Sequence, residues 1–325
     1  HRTSMIGAYF QDDWRITDSL TLNLGLRWEY HSPLVEVKDR QSNFSPYTGE
    51  LLLAGQGSNS RALYDPFRKD WQPRIGFAWT PGFLDKKTVL RGAYTISSFM
   101  EGTGVNLRLP LNPPFNTEFE TIYVGQAQPG TTTDQGLILT AKDPYAGLNV
   151  RLWDRKVRPA HVQQWSFLIE RQLPAEAVLS IGYVGQHGTH LVVAMPYFQK
   201  RLLPGGATQP SPYLAGNPQL KSITQISGTE TNGNQRYDSL QLNVRKRLTA
   251  GLEYLMSYTW SKTMSDSIGF YGSGGQAGPA SAYWQNLYDK RSEWGPAFFD
   301  VTHNFTCSFV YDLPLGRNKS FGGSW

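Results

Sequence analysis

Apolar and polar residues alternate, with few exceptions, in several segments of the chain. At 20–30, leucine and aromatic residues occupy every even position, whereas the odd positions carry threonine, asparagine, glycine, arginine and glutamate. A period of two is that of a β-strand, whose successive side chains point to opposite faces. The pattern recurs at 239–248, 251–260 and 300–311. Weaker strand candidates lie at 6–16, 74–80, 88–99, 162–173 and 178–193, and a tenth strand begins near Phe321.

Short and long connections alternate between these predicted strands. The short ones are rich in turn-forming residues and lie at 17–19, 81–87, 174–177, 249–250 and 314–319. The long ones, at 32–70, 100–160, 195–235 and 265–297, have roughly 39, 61, 41 and 33 residues, far above the usual loop length of about 4 to 6. Outer-membrane barrels have short periplasmic turns and long extracellular loops, so this alternation favours a membrane barrel.

The predicted fold class is all-β: a partial, transmembrane, antiparallel β-barrel with long extracellular loops. In hydrocarbon every backbone amide needs a partner within the protein, which leaves helices and closed barrels as spanning structures. The apolar rows would then face lipid and the polar rows a lumen. A soluble sandwich shows the same alternation with its apolar faces turned inward. Aromatic residues at the ends of the apolar rows favour the membrane interface, namely Trp28, Tyr30, Tyr258, Trp260 and Tyr311.

Composition narrows the classes further. Aromatic residues make up 13% of the chain, Gly and Pro number 32 and 20, and the mean hydropathy is -0.42, which suits many strands and polar loops. The net charge of +5 is scattered, so we expect no nucleic-acid partner. The single Cys307 excludes an internal disulfide framework and a cysteine zinc cluster. The first residues lack a signal-peptide pattern, and we expect this sequence to be part of a longer protein.

The predicted strands also resemble a known family. The sequence AYFQDDWRITDSLTLNLGLRWEYHSPL at 8–34 resembles a strand-turn-strand of the barrels of TonB-dependent receptors, particularly their Oar-like group. Similar segments follow in order: QPRIGFAWTP at 72, KTVLRGAYTI at 87, VQQWSFLIERQLP at 162, LSIGYVGQHGTHL at 179, YDSLQLNVRKRLTAGLEYLMSYTWSKTMSD at 237 and FDVTHNFTCSFVYDLPLGRNK at 299. The resemblance covers nearly every predicted strand and leaves the loops unmatched.

The resemblance implies both an architecture and a function. Residues 1–325 would form a single partial barrel domain, slightly under half of a 22-stranded barrel in the bacterial outer membrane. The N-terminal plug and the TonB-contacting segment would lie outside these residues. The implied function is uptake of a large or scarce solute, and the implied partners are outer-membrane lipid, an extracellular ligand and a TonB-type energising protein. The alternative is a soluble or surface-attached β-sheet adhesin or glycan-binding module.

Candidate functional residues fall into two groups, each with a simpler structural explanation. Polar side chains opposite the apolar rows would face the lumen, where they contact a plug or polar ligand or are merely solvated; these are Asn23, Arg27, Glu29, Arg91, Asn243 and Arg245. Aromatic residues of the last long loop are candidates to stack on a sugar or hydrophobic ligand, or else pack within the loop; these are Tyr283, Trp284 and Tyr288.

Signals for catalysis, metals or cofactors are weak. His187 and His190 are three apart on a predicted strand and would point to opposite faces, as would Asp12 and Asp13. The glycine-rich segment 269–278 lacks the Gly-Lys-Ser/Thr of a phosphate loop, and neither a G-x-S-x-G elbow nor an H-E-x-x-H helix occurs. We therefore predict a protein without a catalytic, metal or cofactor site.

Overall fold

The computed structural model describes residues 2–100, 109–116, 149–215, 223, 225–249, 251–267, 284–316 and 321. These residues form fifteen strands: β1 (Met5–Thr17), β2 (Leu20–His31), β3 (Ser42–Phe44), β4 (Leu51–Leu53), β5 (Asp70–Trp79), β6 (Thr88–Phe99), β7 (Asn149–Trp153), β8 (Ala160–Leu173), β9 (Ala177–Pro196), β10 (Arg201–Leu202), β11 (Thr208–Gln209), β12 (Gln225–Thr249), β13 (Leu252–Ser265), β14 (Gly295–Pro296) and β15 (His303–Tyr311). Helical structure in this part of the chain is confined to single turns at Gly82–Leu84, Leu109–Leu111, Pro212–Ala215 and Lys290–Glu293.

Nine long strands form one antiparallel sheet in the order β1-β2-β5-β6-β8-β9-β12-β13-β15. Two short strands join it: β14 pairs with β13, and β7 pairs parallel with β12. The nine strands predicted from alternation are thereby confirmed. The predicted tenth strand is reached only at Phe321, which forms one bridge with Leu315; most of its residues lie outside the described ranges.

Strand register brings the apolar positions onto a single face. One row crosses all nine long strands as directly opposed neighbours: Trp14, Leu22, Phe77, Gly92, Phe167, Tyr183, Leu240, Trp260 and His303. Gly92 fits because the Phe77 ring lies over it; a Cβ there would come within 2.3 Å of that ring. We call this surface the apolar face and the opposite surface the polar face.

No second layer covers the apolar face in the described part of the chain. Ile75 is 55% exposed, Phe167 43%, Trp260 55% and Phe305 64%. A soluble sandwich would bury such rows against another sheet. The observed arrangement instead matches a wall whose apolar side meets lipid.

The buried core lies at the loop end of the sheet. The described parts of the long connections and the loop-side ends of β9 and β12 fold together into a unit that we call the loop cap. Its first cluster contains Phe44, Val150, Ile226 and Trp284, and its second contains Tyr64 and Trp153. The long connections also contain short strands that the alternation in the sequence did not identify, namely β3, β4, β7, β10, β11 and β14.

Candidate functional site

The six predicted lumen residues all lie on the polar face. Asn23, Arg27 and Glu29 occupy odd positions of β2, and the register places the other three on the same side of β6 and β12. This placement agrees with the alternation in the sequence. Contact with a plug or a solute stays a prediction.

Most of these side chains are held by neighbours on the same face. The Arg27 guanidinium donates to Glu29, which also accepts a 2.9 Å bond from Gln72 Nε2. Asn23 Nδ2 donates to Asp13 Oδ1 over 2.6 Å. Similar contacts hold two further members: Arg91 Nε lies 3.2 Å from Glu170 Oε2, and Asn243 Oδ1 accepts a 2.7 Å bond from Ser257 Oγ. The polar face is thus an ordered surface.

A recess of about 430 Å³ opens on this face across β2, β5, β6 and β8. Its floor carries small residues, Gly76, Ala93 and Ser166, and Arg74 and Arg91 lie on either side of it. Arg74 is exposed and forms no ion pair within the described residues. Arg74 was not among the candidate residues predicted from the sequence, although its position two residues before Gly76 in a strand places both on one face.

Aromatic rings mark both ends of the apolar face. On the loop side, the Trp28 and Tyr30 rings stack at 6.5 Å, and Trp71 lies directly opposite Trp28. On the turn side stand Trp14, Trp79, Tyr254 and Tyr311. Positions 20 and 28 of β2 are separated by roughly 26 Å at about 3.3 Å per residue. This length along the strand is near the apolar band of about 25 Å in outer-membrane barrels, and strand tilt makes the height across the membrane smaller than the length along the strand.

Buried asparagines join the long connections within the loop cap. Asn112 Nδ2 donates to the carbonyls of Ser42 and Arg151 at 2.8 and 2.7 Å, and its Oδ1 accepts from the Arg151 amide at 2.7 Å. Asn43 bonds both backbone groups of Trp153, at 2.8 and 2.9 Å. Each amide satisfies backbone groups that would otherwise be buried without partners. Three segments far apart in sequence are therefore held as one unit.

A half-buried acidic group, Glu230, also lies in the loop cap, outside the membrane-spanning part of β12. Burial raises the pKa of Glu230, and Asp154 acts in the same direction. Hydrogen bonds donated by Tyr197 and Asn232 oppose this shift by favouring the charged form. Burial and the neighbouring Glu230 raise the pKa of Tyr197, which therefore stays a proton donor.

The three predicted loop contacts differ in their surroundings. Tyr283 lies outside the described residues. Trp284 is only 6% exposed and its Nε1 donates to the Asp266 carbonyl at 2.8 Å, so its ring packs in the cap. Tyr288 is 37% exposed, its hydroxyl donates to the Gln199 carbonyl at 2.7 Å, and the Arg201 guanidinium lies 5.9 Å from its ring centroid. Only Tyr288 of the two described residues is placed to meet an external ligand.

The histidines of the HGTH segment do not come together. His187 lies opposite Arg236 in the sheet, whereas the His190 ring packs against His161 with centroids 5.9 Å apart. His161 Nε2 lies 3.3 Å from Asp70 Oδ1. Burial and nearby cationic groups lower the pKa of His190, which favours its neutral form. Within the described ranges, no three potential ligands are grouped to hold a metal.

The fold and its two faces define a class of protein. The sheet has an exposed apolar face between aromatic belts and an ordered polar face. It also has short turns at one end and a folded cap at the other. These features together are those of the wall of an outer-membrane barrel. The chain belongs to the outer membrane beta barrel domain family, whose model matches residues 1–325. It is therefore a protein of the bacterial outer membrane. Among the described residues, no helix has the length and hydropathy to span a bilayer.

The chain is similar to solved outer-membrane transporters and receptors at low sequence identity. The outer membrane transporter YddB from Escherichia coli superposes with a TM-score of 0.52 at 10% identity, covering 94% of this chain and 31% of YddB. The ferric-catecholate import receptor Fiu from E. coli gives 0.40 at 12% identity, with 96% and 32% covered. The FrpB iron transporter from Neisseria meningitidis gives 0.47 at 11%, with 95% and 30% covered. The chain thus spans about a third of these proteins. No curated protein sequence matches it.

Proposed function

We propose that this chain forms part of the barrel wall of a TonB-dependent receptor that imports a large or scarce solute and catalyses no reaction. The observation that carries the proposal is the division of one sheet into a lipid-compatible face and an ordered polar face, beneath a folded loop cap. Such a wall separates lipid from an aqueous path. The sequence resemblance adds the energised class of receptor.

The two edges of the sheet support the proposal of a larger barrel. β1 and β15 are exposed along their whole lengths, and each pairs on one side only among the described strands. Unpaired backbone groups are costly in a bilayer, so further strands must pair with both edges there. We propose that they complete a barrel of 22 strands. The plug and the TonB-contacting segment would belong to the same longer protein.

The loop cap would serve capture from outside the cell. Its buried clusters and asparagine bonds order the long connections before any ligand arrives, which lowers the conformational entropy lost on binding. Tyr288, Arg201 and the strongly exposed Tyr47 present aromatic and cationic groups on this unit. We propose that this surface makes the first contact with the solute.

The polar face would serve passage or plug contact. Arg74 and Arg91 flank a floor of small side chains, where a polar group can approach the sheet backbone closely. The adhesin or glycan-binding alternative draws no specific support from this arrangement. A soluble module would need a cover for the apolar face, and none is present in the described part of the chain.

Growth of a deletion strain tests the proposal. The strain is grown on a panel of scarce solutes, including iron chelates, cobalamin, peptides and oligosaccharides, each as the limiting nutrient. We expect a defect on at least one solute, restored by the wild-type gene and reproduced by loss of the inner-membrane energising protein. Normal growth of a strain that keeps the wild-type receptor but lacks the energising protein, or a deletion strain with no defect, would contradict energised uptake.

A further inference from the structure

The apolar face carries a cleft at the level of its loop-side aromatic belt. Tyr183, Leu240 and Trp260 lie directly opposite one another on β9, β12 and β13, and they line a cavity of about 430 Å³. Its surface is almost wholly apolar, and the three side chains are 40%, 37% and 55% exposed. The cleft therefore opens toward the bilayer.

Charged side chains border the cleft on its loop side only. Asp238 and Lys262 form the next opposed pair of this face, and Arg236 follows two residues further along β12. Below the cleft, toward the short turns, the next opposed pair is Leu242 and Tyr258. The change from charged to apolar rows places the cleft at the boundary between headgroups and acyl chains.

The two cations keep donors for an additional partner. Arg236 Nε bonds Asp238 Oδ2 at 2.7 Å, and Lys262 Nζ bonds Asp300 Oδ2 at 2.6 Å. Each of these bonds uses one N–H group, whereas a guanidinium has five and an ammonium has three. Both side chains are well exposed, at 61% and 48%. Arginine and lysine with free donors are suited to bind phosphate oxygens.

We propose that this cleft is a binding site for one phosphate-bearing lipid of the outer leaflet. Its acyl chain would lie against Leu240 and Trp260, while its phosphate would accept hydrogen bonds from Arg236 and Lys262. The loop side faces the cell exterior in outer-membrane barrels, so the lipid belongs to the outer leaflet. The site depends on the membrane location alone and would exist whether or not the protein imports a solute.

Native mass spectrometry of the complete protein, extracted and delipidated in detergent, tests the site. Diphosphoryl lipid A and its dephosphorylated form are the two probes. We expect one saturable site for the phosphorylated probe, with the other probe binding about tenfold more weakly, because the charge-assisted hydrogen bonds are lost. The double variant Arg236→Gln, Lys262→Gln should show about the same loss for diphosphoryl lipid A. Equal binding of the two probes would overturn the proposal.

Two further variants separate binding from a structural effect. Arg171→Gln removes a cation from the same face near the short turns and should leave lipid binding unchanged. Asp238→Asn frees the Arg236 guanidinium from its carboxylate and should raise the affinity for diphosphoryl lipid A, although it removes a native ion pair. Weaker binding in Asp238→Asn, equal loss in Arg171→Gln, or a protein dimer that excludes lipid from this face would each contradict the site.

Discussion

At the scale of single residues, Leu24 and Asn23 define the two faces of the sheet. They are neighbours in β2 and therefore point in opposite directions. Leu24 is 37% exposed on the apolar face and lies opposite Ile75. Asn23 bonds Asp13 on the polar face. The same substitution at the two positions should thus meet lipid in one case and water in the other.

Leu24→Arg should lower the free energy of unfolding by about 2 to 4 kcal/mol, because it places a charge near the middle of the apolar band. Asn23→Arg is the matched control and should be far milder, since Asp13 can pair with the new cation. Urea unfolding of the complete protein in lipid vesicles measures both. Equal losses of unfolding free energy in the two variants would contradict the assignment of Leu24 to the lipid side and of Asn23 to the aqueous side.

Glu230 gives the loop cap a predicted pH dependence. Its pKa in the folded protein lies above the ordinary value of 4.5, so the folded state holds a proton that the unfolded state has lost. The stability from this group is complete below about pH 4.5 and is lost as pH rises through the folded pKa. Hydrogen exchange of 192–197 should therefore quicken as the pH rises above about 4.5 and through the folded pKa, after correction for intrinsic rates.

The matched variant is Glu230→Gln, which keeps a side chain of similar shape and removes the titration. Its cap should show a flatter dependence of protection on pH than the wild-type cap. A wild-type cap whose protection rises across the same range would contradict the raised pKa.

At the scale of elements, the loop cap should behave as one unit. Asn112→Ala removes three buried hydrogen bonds to the backbone of Ser42 and Arg151, at about 1 to 3 kcal/mol for each buried group left unsatisfied. Hydrogen exchange should quicken in β3, β4 and β7 together, while β2 and β5 stay protected. Asn59→Ala, which removes a single 3.2 Å bond to the Leu53 carbonyl, is the control. Faster hydrogen exchange that is confined to residues 109–116 would contradict a loop cap that behaves as one unit.

The strands differ in how well the sequence predicted where they begin and end. The weaker candidate at 88–99 matches the observed bounds of β6, because turn-forming residues precede it and Leu90, Tyr94 and Ile96 share one face. Alternation placed the start of β12 at 239, whereas the strand begins at Gln225. Residues 225–238 are rich in Gly, Asn and Thr, which resemble a loop in sequence. They are extended because β9 and β7 pair with them on either side, a long-range contact with no local signal.

Some residues of the candidate site could likewise be predicted from the sequence, whereas others could not. The polar-face side chains of β2 follow from the period of two alone. The recess beside Arg74 depends on which strands are neighbours, and Gly76, Ala93 and Ser166 come together only through the register of three strands. The sequence allowed either a ligand-binding or a packing role for Trp284. Its position within the loop cap depends on contacts with distant segments.

At the scale of the whole molecule, the two exposed edges and the uncovered apolar face are those expected of one part of a larger barrel in a membrane. The complete protein should partition with detergent and migrate faster on a gel when it is not boiled, because a closed barrel resists unfolding by detergent. A soluble β-sheet module would show neither property. Identical migration before and after boiling, with recovery in the aqueous fraction, would contradict a membrane barrel.

The central claim is that the apolar face meets lipid, and a nitroxide scan of β2 tests it most directly. Spin labels are placed singly at positions 21–27 of the complete protein in lipid vesicles, in a Cys307→Ser background. Labels at even positions should be reached mainly by oxygen, which concentrates in the bilayer, and labels at odd positions mainly by a water-soluble nickel reagent. Accessibility with no period of two, or with the two sets exchanged, would contradict the account.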